Sequence, residues 1–348
     1  MKIWIIASPF VPVPPKKYGW TERIIYFLIK WLKELGHEPI LIWTADSEVD
    51  CEIIPIVDKC ICFPKTSEEV VPHKELQKNI KLHTKEVLVK NISRFDILHS
   101  QWFDLKDFWN YPNITTLHWP IILDNIKYYE NRKNLNYISI SKNQQEAFPD
   151  LNYISTVYNW LDPEEFPFEE EQQDYLCFIG RLDYEKNPHL AIKLAIKLGI
   201  KIKLWWKIDS QWHDYFEREV KKYLDNPLVE FLWELDFNQK IEVLKNAKCN
   251  LHPTWFREPF GLSVLEAAYC WVPTLAIHRW SMPELIEEGR TWMLVEWFEE
   301  WYSCLEECFK MDRKYISERA RMLFNYKNMS KKYVEAYEKV INDYNSNI

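Results

Sequence analysis

The sequence predicts an α/β chain of two doubly wound domains, and three observations carry that prediction. Short β-branched runs alternate with helical patterns through the first half. A polar stretch with two prolines, Asn159 to Asp174, fits neither period. Beyond it the same alternation starts again.

In chain order, strands are expected at Lys2–Ala7, Pro39–Thr44, Asp96–Ser100, Ile114–His118, Tyr137–Ile140 and Ile154–Tyr158. Between the first two, Ile24, Leu28, Leu32 and Leu35 recur at helical spacing, and Gly36 stops the helix. A second amphipathic helix is expected over Lys74–Ser93. Asn159–Asp174 is the expected linker. It is followed by strand Tyr175–Ile179, helix Pro188–Leu198, strand Lys201–Trp205, helix Gln211–Leu224 and strand Val229–Leu232. Helix Asn238–Asn246, strand Cys249–His252, helix Phe260–Tyr269 and strand Thr274–Ile277 complete the series. From about Tyr315 the chain reads as charged helix, with Met329, Tyr333, Tyr337 and Ile341 as its apolar stripe. The domains expected are 1–160, 161–325 and a terminal helix over 326–348.

Composition narrows the function. With 44 basic and 52 acidic side chains, a net charge of −8, the chain is not a polybasic nucleic-acid binder. No apolar run approaches the roughly 18 residues of a membrane span, and the first apolar run is too short for a signal-peptide core. Eight scattered cysteines fit a reducing cytosol and buried thiols better than a disulfide framework or a metal site at Cys60-x-Cys62 or Cys304/Cys308. A cytoplasmic protein is expected. Lys74 to Arg94, with six basic and two acidic residues, forms a modest basic face that could touch anionic headgroups at the inner face of a membrane, or simply be solvated.

Glu258-Pro259-Phe260-Gly261-Leu262-Ser263-Val264-Leu265-Glu266 places one carboxylate before a helix and another two turns inside it. The helix start between them offers free amides, which favour phosphate, while flanking carboxylates can accept hydrogen bonds from sugar hydroxyls. Gly180 and Arg181 end a strand and Lys186 precedes a helix, so two cations sit at the strand edge where α/β folds bind ligands. Each of these features alone is equally a solvated surface charge. Pro12 to Glu22 leads from the first strand into the first helix, and loops there approach ligands by their backbone.

Gly19-Trp20-Thr21-Glu22-Arg23, Thr116-Leu117-His118-Trp119, Gly180-Arg181-Leu182 with Lys186, and Glu258 to Glu266 occur in the order and at the separations that resemble glycosyltransferase family 4. The resemblance covers nearly the whole chain. It implies a GT-B fold, two Rossmann-like domains facing across a cleft, with the last helix crossing back to the N-terminal domain. It also implies transfer from a nucleoside-diphosphate sugar, such as a UDP- or GDP-sugar, to a hydroxyl of a sugar, lipid or glycan, with retention and with no metal or other cofactor. By the same resemblance Glu258 holds donor-sugar hydroxyls, Glu266 the ribose, and Arg181 and Lys186 the diphosphate. His118 lies beside the donor sugar. Gly19, Trp20 and Thr21 close over the phosphates, and Gly180, Phe260, Gly261 and Leu262 complete the donor site.

The chain departs from the family in one consistent way. Trp20, Trp119, Trp160, Trp206, Trp233, Trp271, Trp280 and Trp292 stand where the family has glycine. Glycine is only 6 of 348 residues, whereas tryptophan is 18. Converting all eighteen would bring glycine to about 7%, the usual share. The expectation is a gene in which UGA encodes glycine, translated here as tryptophan. The alternatives are another GT-B nucleotide-sugar enzyme, inverting transferase or epimerase, or an inactive sugar-binding relative.

Overall fold

The computed structural model describes residues 1–16, 19–62, 69–169, 172–205, 213–233, 235–296 and 300–346. The chain divides into two compact units, Met1–Asn159 with Tyr326–Ile348, and Trp160–Asn325. Each is built on a parallel sheet, and the fold is α/β with two Rossmann-like halves.

In the first unit the strands are β1 (Lys2–Ile6), β2 (Glu38–Thr44), β3 (Glu52–Val57), β4 (Ile97–Ser100), β5 (Asn113–Leu117), β6 (Asn136–Ser139) and β7 (Asn152–Thr156). Their order is β3-β2-β1-β4-β5-β6-β7, so the strand order reverses between β1 and β4. The helices are α1 (Trp20–Glu34), α2 (Val70–Lys90), α3 (Ile126–Glu130) and α4 (Lys142–Glu146). Strand β3 was not expected from the sequence. It carries Pro55 and lies at the sheet edge, where a residue without an N–H is tolerated. Trp4, Ile6, Ile40, Ile42, Leu98 and Phe108 form one core cluster of this sheet, into which α2 inserts Leu88. The lysines of α2 face solvent.

The second unit carries β8 (Tyr175–Ile179), β9 (Lys201–Trp205), β10 (Val229–Phe231), β11 (Cys249–His252), β12 (Thr274–Ile277) and β13 (Trp292–Val295) in the order β10-β9-β8-β11-β12-β13. Its helices are α5 (Pro188–Leu198), α6 (His213–Tyr215), α7 (Phe237–Lys245), α8 (Leu262–Tyr269), α9 (Met282–Leu285), α10 (Trp301–Phe309) and α11 (Arg313–Leu323). Here the reversal falls between β8 and β11, so the loops after those strands, residues 180–187 and 253–261, meet at the ligand-binding edge. Of the helix expected over Gln211–Leu224, residues 211 and 212 lie outside the described residues, and the rest runs through α6 into a π-helical turn, Phe216–Val220, and a 3-10 turn, Lys221–Tyr223.

The terminal helix α12 (Tyr326–Ser346) belongs to the first unit. It buries Met329, Tyr333, Ala336, Tyr337 and Val340. Val340 therefore takes the place expected for Ile341, which is half-buried. Tyr326 stacks on Trp31 of α1 with ring centroids 3.6 Å apart. All eight cysteines are free, and Cys62 is exposed rather than buried. Among the described residues, no helix is long and apolar enough to cross a membrane.

Candidate functional site

The second unit brings Gly180, Arg181, Lys186, Glu258, Phe260, Gly261 and Leu262 to one sheet edge. Phe260 is buried, and Leu262 is the first residue of α8. Lys186 and Glu258, 72 residues apart, form a direct ion pair with both side chains largely buried. Burial opposes the charge on Glu258, yet Lys186, His252 and Arg181 together outweigh it and hold the carboxyl below its ordinary range. Arg181 Nη1 lies 3.0 Å from Asp183 Oδ2, and Nη2 lies 2.6 Å from Glu185 Oε2. Asp183 in turn accepts from the Lys186 amide at 2.8 Å. Both cations expected on a diphosphate are thus paired with carboxylates of the chain. The sequence reading missed Asp183 and Glu185, although both stand beside Arg181 and Lys186 in the phrase Arg-Leu-Asp-Tyr-Glu-Lys.

Two devices hold Glu258 in place. Gly261 has φ +100°, a backbone conformation that favours glycine, and a Cβ there would also displace the end of Met282, whose Cε would lie 2.6 Å away. The buried Ser281 hydroxyl is 2.8 Å from the carbonyl oxygens of both Glu258 and Phe260. His252, at the end of β11, is buried and its imidazole is pushed down to about 3, first by desolvation and then by Lys186. It is neutral and was not anticipated.

Glu266 lies in the second turn of α8 and is wholly buried. It pairs with Lys240 of α7, itself 7% exposed. This partner had no sequence signal, because nothing marks a single lysine on an amphipathic helix for burial.

The remaining expected residues lie in the first unit. Gly19 caps α1, whose first residues are Trp20 and Thr21. A Cβ on Gly19 would lie 2.6 Å from Pro15 Cβ. Glu22, one residue further, is buried and accepts from Ser8 Oγ at 3.3 Å. Desolvation raises its carboxyl to about 7. A carboxyl raised from 4.5 in the unfolded chain contributes stability that is present below pH 4.5 and is lost as pH rises to 7. Relative to Glu22→Gln, the wild-type chain is therefore expected to lose about 3 kcal/mol between pH 4.5 and 8. Urea unfolding of both proteins across this range checks it, and parallel pH curves would refute it.

His118 follows β5, and its Nε2 is 2.5 Å from Gln101 Oε1. It lines a cavity of about 100 Å³ together with Gln101, Phe103, Trp119, Tyr128 and Tyr129. Burial lowers His118 to about 4, so the ring is neutral. In the same wall Arg132 holds Asp104 through Nε at 3.1 and 3.0 Å from the two carboxylate oxygens.

Of the tryptophans at expected glycine positions, Trp271 (φ +63°) and Trp280 (φ +59°) have left-handed backbone. That region is strongly disfavoured for a bulky residue. Trp119 and Trp233 are exposed, whereas Trp160 is wholly buried. Trp20 opens α1 without a positive φ, and Trp292 opens β13. Trp206 lies outside the described residues.

The family model described as Glycosyl transferases group 1 matches residues 162–303. The glycogen synthase of Mycobacterium tuberculosis is 27% identical over 152 residues, which are 41% of this chain and 36% of that protein. The chain thus spans about a third of the length of the curated relatives it matches. Sucrose-phosphate synthase from Thermosynechococcus elongatus superposes with a TM-score of 0.76 at 14% identity, over 99% of this chain and 100% of that one. Anabaena HepE, solved with UDP-glucose, gives 0.73 at 13% identity over 97% and 100%. Residues 162–303 are accordingly similar to group 1 glycosyl transferase domains, and the two parallel-sheet halves of the chain have the GT-B fold.

Proposed function

We propose that the chain is a retaining, metal-independent glycosyltransferase of family 4. It moves a glycosyl unit from a nucleoside-diphosphate sugar to a hydroxyl of a sugar, lipid or glycan. The observation that carries this reading is the buried Lys186–Glu258 pair beside the start of α8, with Arg181 on the same sheet edge. A cation already held in a desolvated site costs little further desolvation when it exchanges its carboxylate for a phosphate. The UDP-glucose bound by Anabaena HepE supports a nucleotide-sugar donor.

In the reaction, the bond between the anomeric carbon and the diphosphate oxygen breaks, and a bond to the acceptor oxygen forms on the same face. The acceptor proton passes to the departing diphosphate. Arg181 and Lys186 leave their carboxylates to neutralise the charge developing on that group. Glu258 accepts hydrogen bonds from donor-sugar hydroxyls and Glu266 from the ribose, while the cavity beside His118 receives the acceptor. A screen of radiolabelled UDP- and GDP-sugars in EDTA tests this, with the product's anomeric configuration read by proton NMR. Transfer with retention supports the reading, and inversion or dependence on a divalent ion overturns it.

The same reading includes glycine at the anomalous tryptophan codons, supported by the left-handed backbone at Trp271 and Trp280. Trp271→Gly and Trp280→Gly are each expected to stabilise the chain by about 1 kcal/mol. The relief at Trp271 is offset in part by loss of its tilted ring contact with Phe168, and at Trp280 by loss of the indole N–H donated to the Trp255 carbonyl. Urea midpoints check this. In protein from the native host, peptide masses at Trp20, Trp119, Trp271 and Trp280 are expected to show glycine.

A further inference from the structure

Cys60 and Cys62 follow β3 in the first unit, and their sulfur atoms lie 3.7 Å apart, in contact but unbonded. The short segment that carries them is held from three directions. The Cys60 N–H donates to Asp46 Oδ2 at 3.3 Å, just beyond the end of β2. The Ile61 N–H donates to the Pro9 carbonyl at 2.8 Å, in the loop after β1. His73 of α2 donates from Nε2 to the Cys62 carbonyl at 2.7 Å, and its ring stacks on Phe10 with centroids 5.4 Å apart. The backbone on either side of the pair is thus anchored by contacts outside it, and the approach of the two sulfurs follows from that backbone.

The two thiols are not equivalent. Cys62 has φ +53°, a left-handed backbone uncommon in residues other than glycine, asparagine and aspartate, and it alone among the eight cysteines is exposed. Cys60 is half-buried. Desolvation, then the Cys62 sulfur and the Asp46 carboxylate, push the Cys60 thiol up to about 11. Cys62 is therefore the sulfur that meets a reagent from solvent first, and Cys60 is the one that waits beside it.

This pair suits one chemistry. A metal site needs more than two thiolates, and among the described residues no group of three or more cysteine, histidine, aspartate or glutamate side chains is placed to hold a cation. His73 uses Nε2 on the Cys62 carbonyl, and its Nδ1 lies 3.0 Å from Gln77 Nε2, so its ring is engaged elsewhere. A disulfide needs the sulfurs about 2 Å apart, and the exposed Cys62 side chain has room to turn toward its neighbour.

We propose that Cys60 and Cys62 form a reversible dithiol–disulfide site, oxidised by a low-molecular-weight disulfide of the glutathione class and reduced again by a dithiol. The Cys62 thiolate attacks one sulfur of the oxidant, whose S–S bond breaks and releases one small thiolate. Cys60 then gives its proton to solvent and attacks the Cys62 sulfur, so the new S–S bond forms as the second small thiolate leaves. Two electrons pass from the protein to the oxidant, which ends as two thiols. None of these residues belongs to the proposed donor or acceptor site, so the site stands whatever the chain transfers.

Peptide masses test this. Reduced full-length protein is treated with oxidised glutathione, quenched in acid and blocked with N-ethylmaleimide. In the wild type the peptide holding both cysteines is expected to lose two hydrogens and to carry neither maleimide nor glutathione, and dithiothreitol is expected to restore both thiols. Cys60→Ser should trap a lasting glutathione adduct on Cys62. Cys62→Ser should take up glutathione on Cys60 about tenfold more slowly, because that thiol is shielded and protonated. A wild type that keeps the Cys62 adduct as Cys60→Ser does overturns the proposal. So does a wild type whose two thiols both stay open to maleimide, or one that links two chains instead of closing the pair. Should either serine variant fail to fold, the wild-type masses decide alone.

Discussion

Glu258→Gln is expected to lower glycosyl transfer by about 10²- to 10³-fold. Glutamine keeps the size and the loop packing, held by Ser281 and the glycine at 261, but removes the negative charge that faces Lys186. It also replaces two acceptor oxygens by one, so the donor-sugar hydroxyls lose partners in a largely desolvated site. The substitution also changes the acid limb of stability. Because the Glu258 carboxyl lies below its ordinary 4.5 in the folded chain, its contribution is complete above that pH and is lost as the pH falls further. The variant should therefore show a flatter decline below pH 4.5. Initial rates with the best donor and urea midpoints at pH 3.5 and 7 check both parts. An unchanged rate would remove Glu258 from the mechanism.

Lys240→Met is expected to destabilise the second unit by about 3–5 kcal/mol, because it leaves the carboxylate of Glu266 buried without its countercharge. The methionine keeps most of the side chain's length, so lost volume contributes little, although the ammonium's contact 4.8 Å from the Phe237 ring centroid goes with the charge. Lys240→Met with Glu266→Leu should recover most of the loss, since the desolvation of both charges disappears together. The single variant is also expected to raise the donor KM more than it lowers kcat, because Lys240 fixes the oxygen that Glu266 would offer to a ribose. Urea unfolding of the four proteins in the cycle gives the coupling energy. A single-variant cost below about 1 kcal/mol would show that water reaches the pair.

Central strands such as Ile3–Ile6 and Tyr175–Ile179 were legible because each is buried on both faces and reads as a continuous apolar run. The edge strand β3 was not, since Pro55 breaks the pattern by which strands are recognised, and the four-residue edge strand β13 was too short to stand out. At the site, Arg181, Lys186, Glu258 and Glu266 stood out by type and spacing. Their partners did not: Asp183 and Glu185 were hidden by proximity, and Lys240 by an ordinary helical position. Glu22 was visible as part of a loop motif, but not as a buried acid.

By itself, then, the sequence determined two α/β units, the loops that follow β8 and β11, and the residue types those loops carry. Periodicity and the placement of glycine and proline are local properties, and they suffice for elements and their ends. The tertiary structure alone decided which charges meet. Lys186 reaches Glu258 because β8 and β11 are neighbours in the sheet, and His118 reaches Gln101 because β4 and β5 are. Strand order brings residues tens of positions apart within hydrogen-bond range, and burial then sets the charge each one holds.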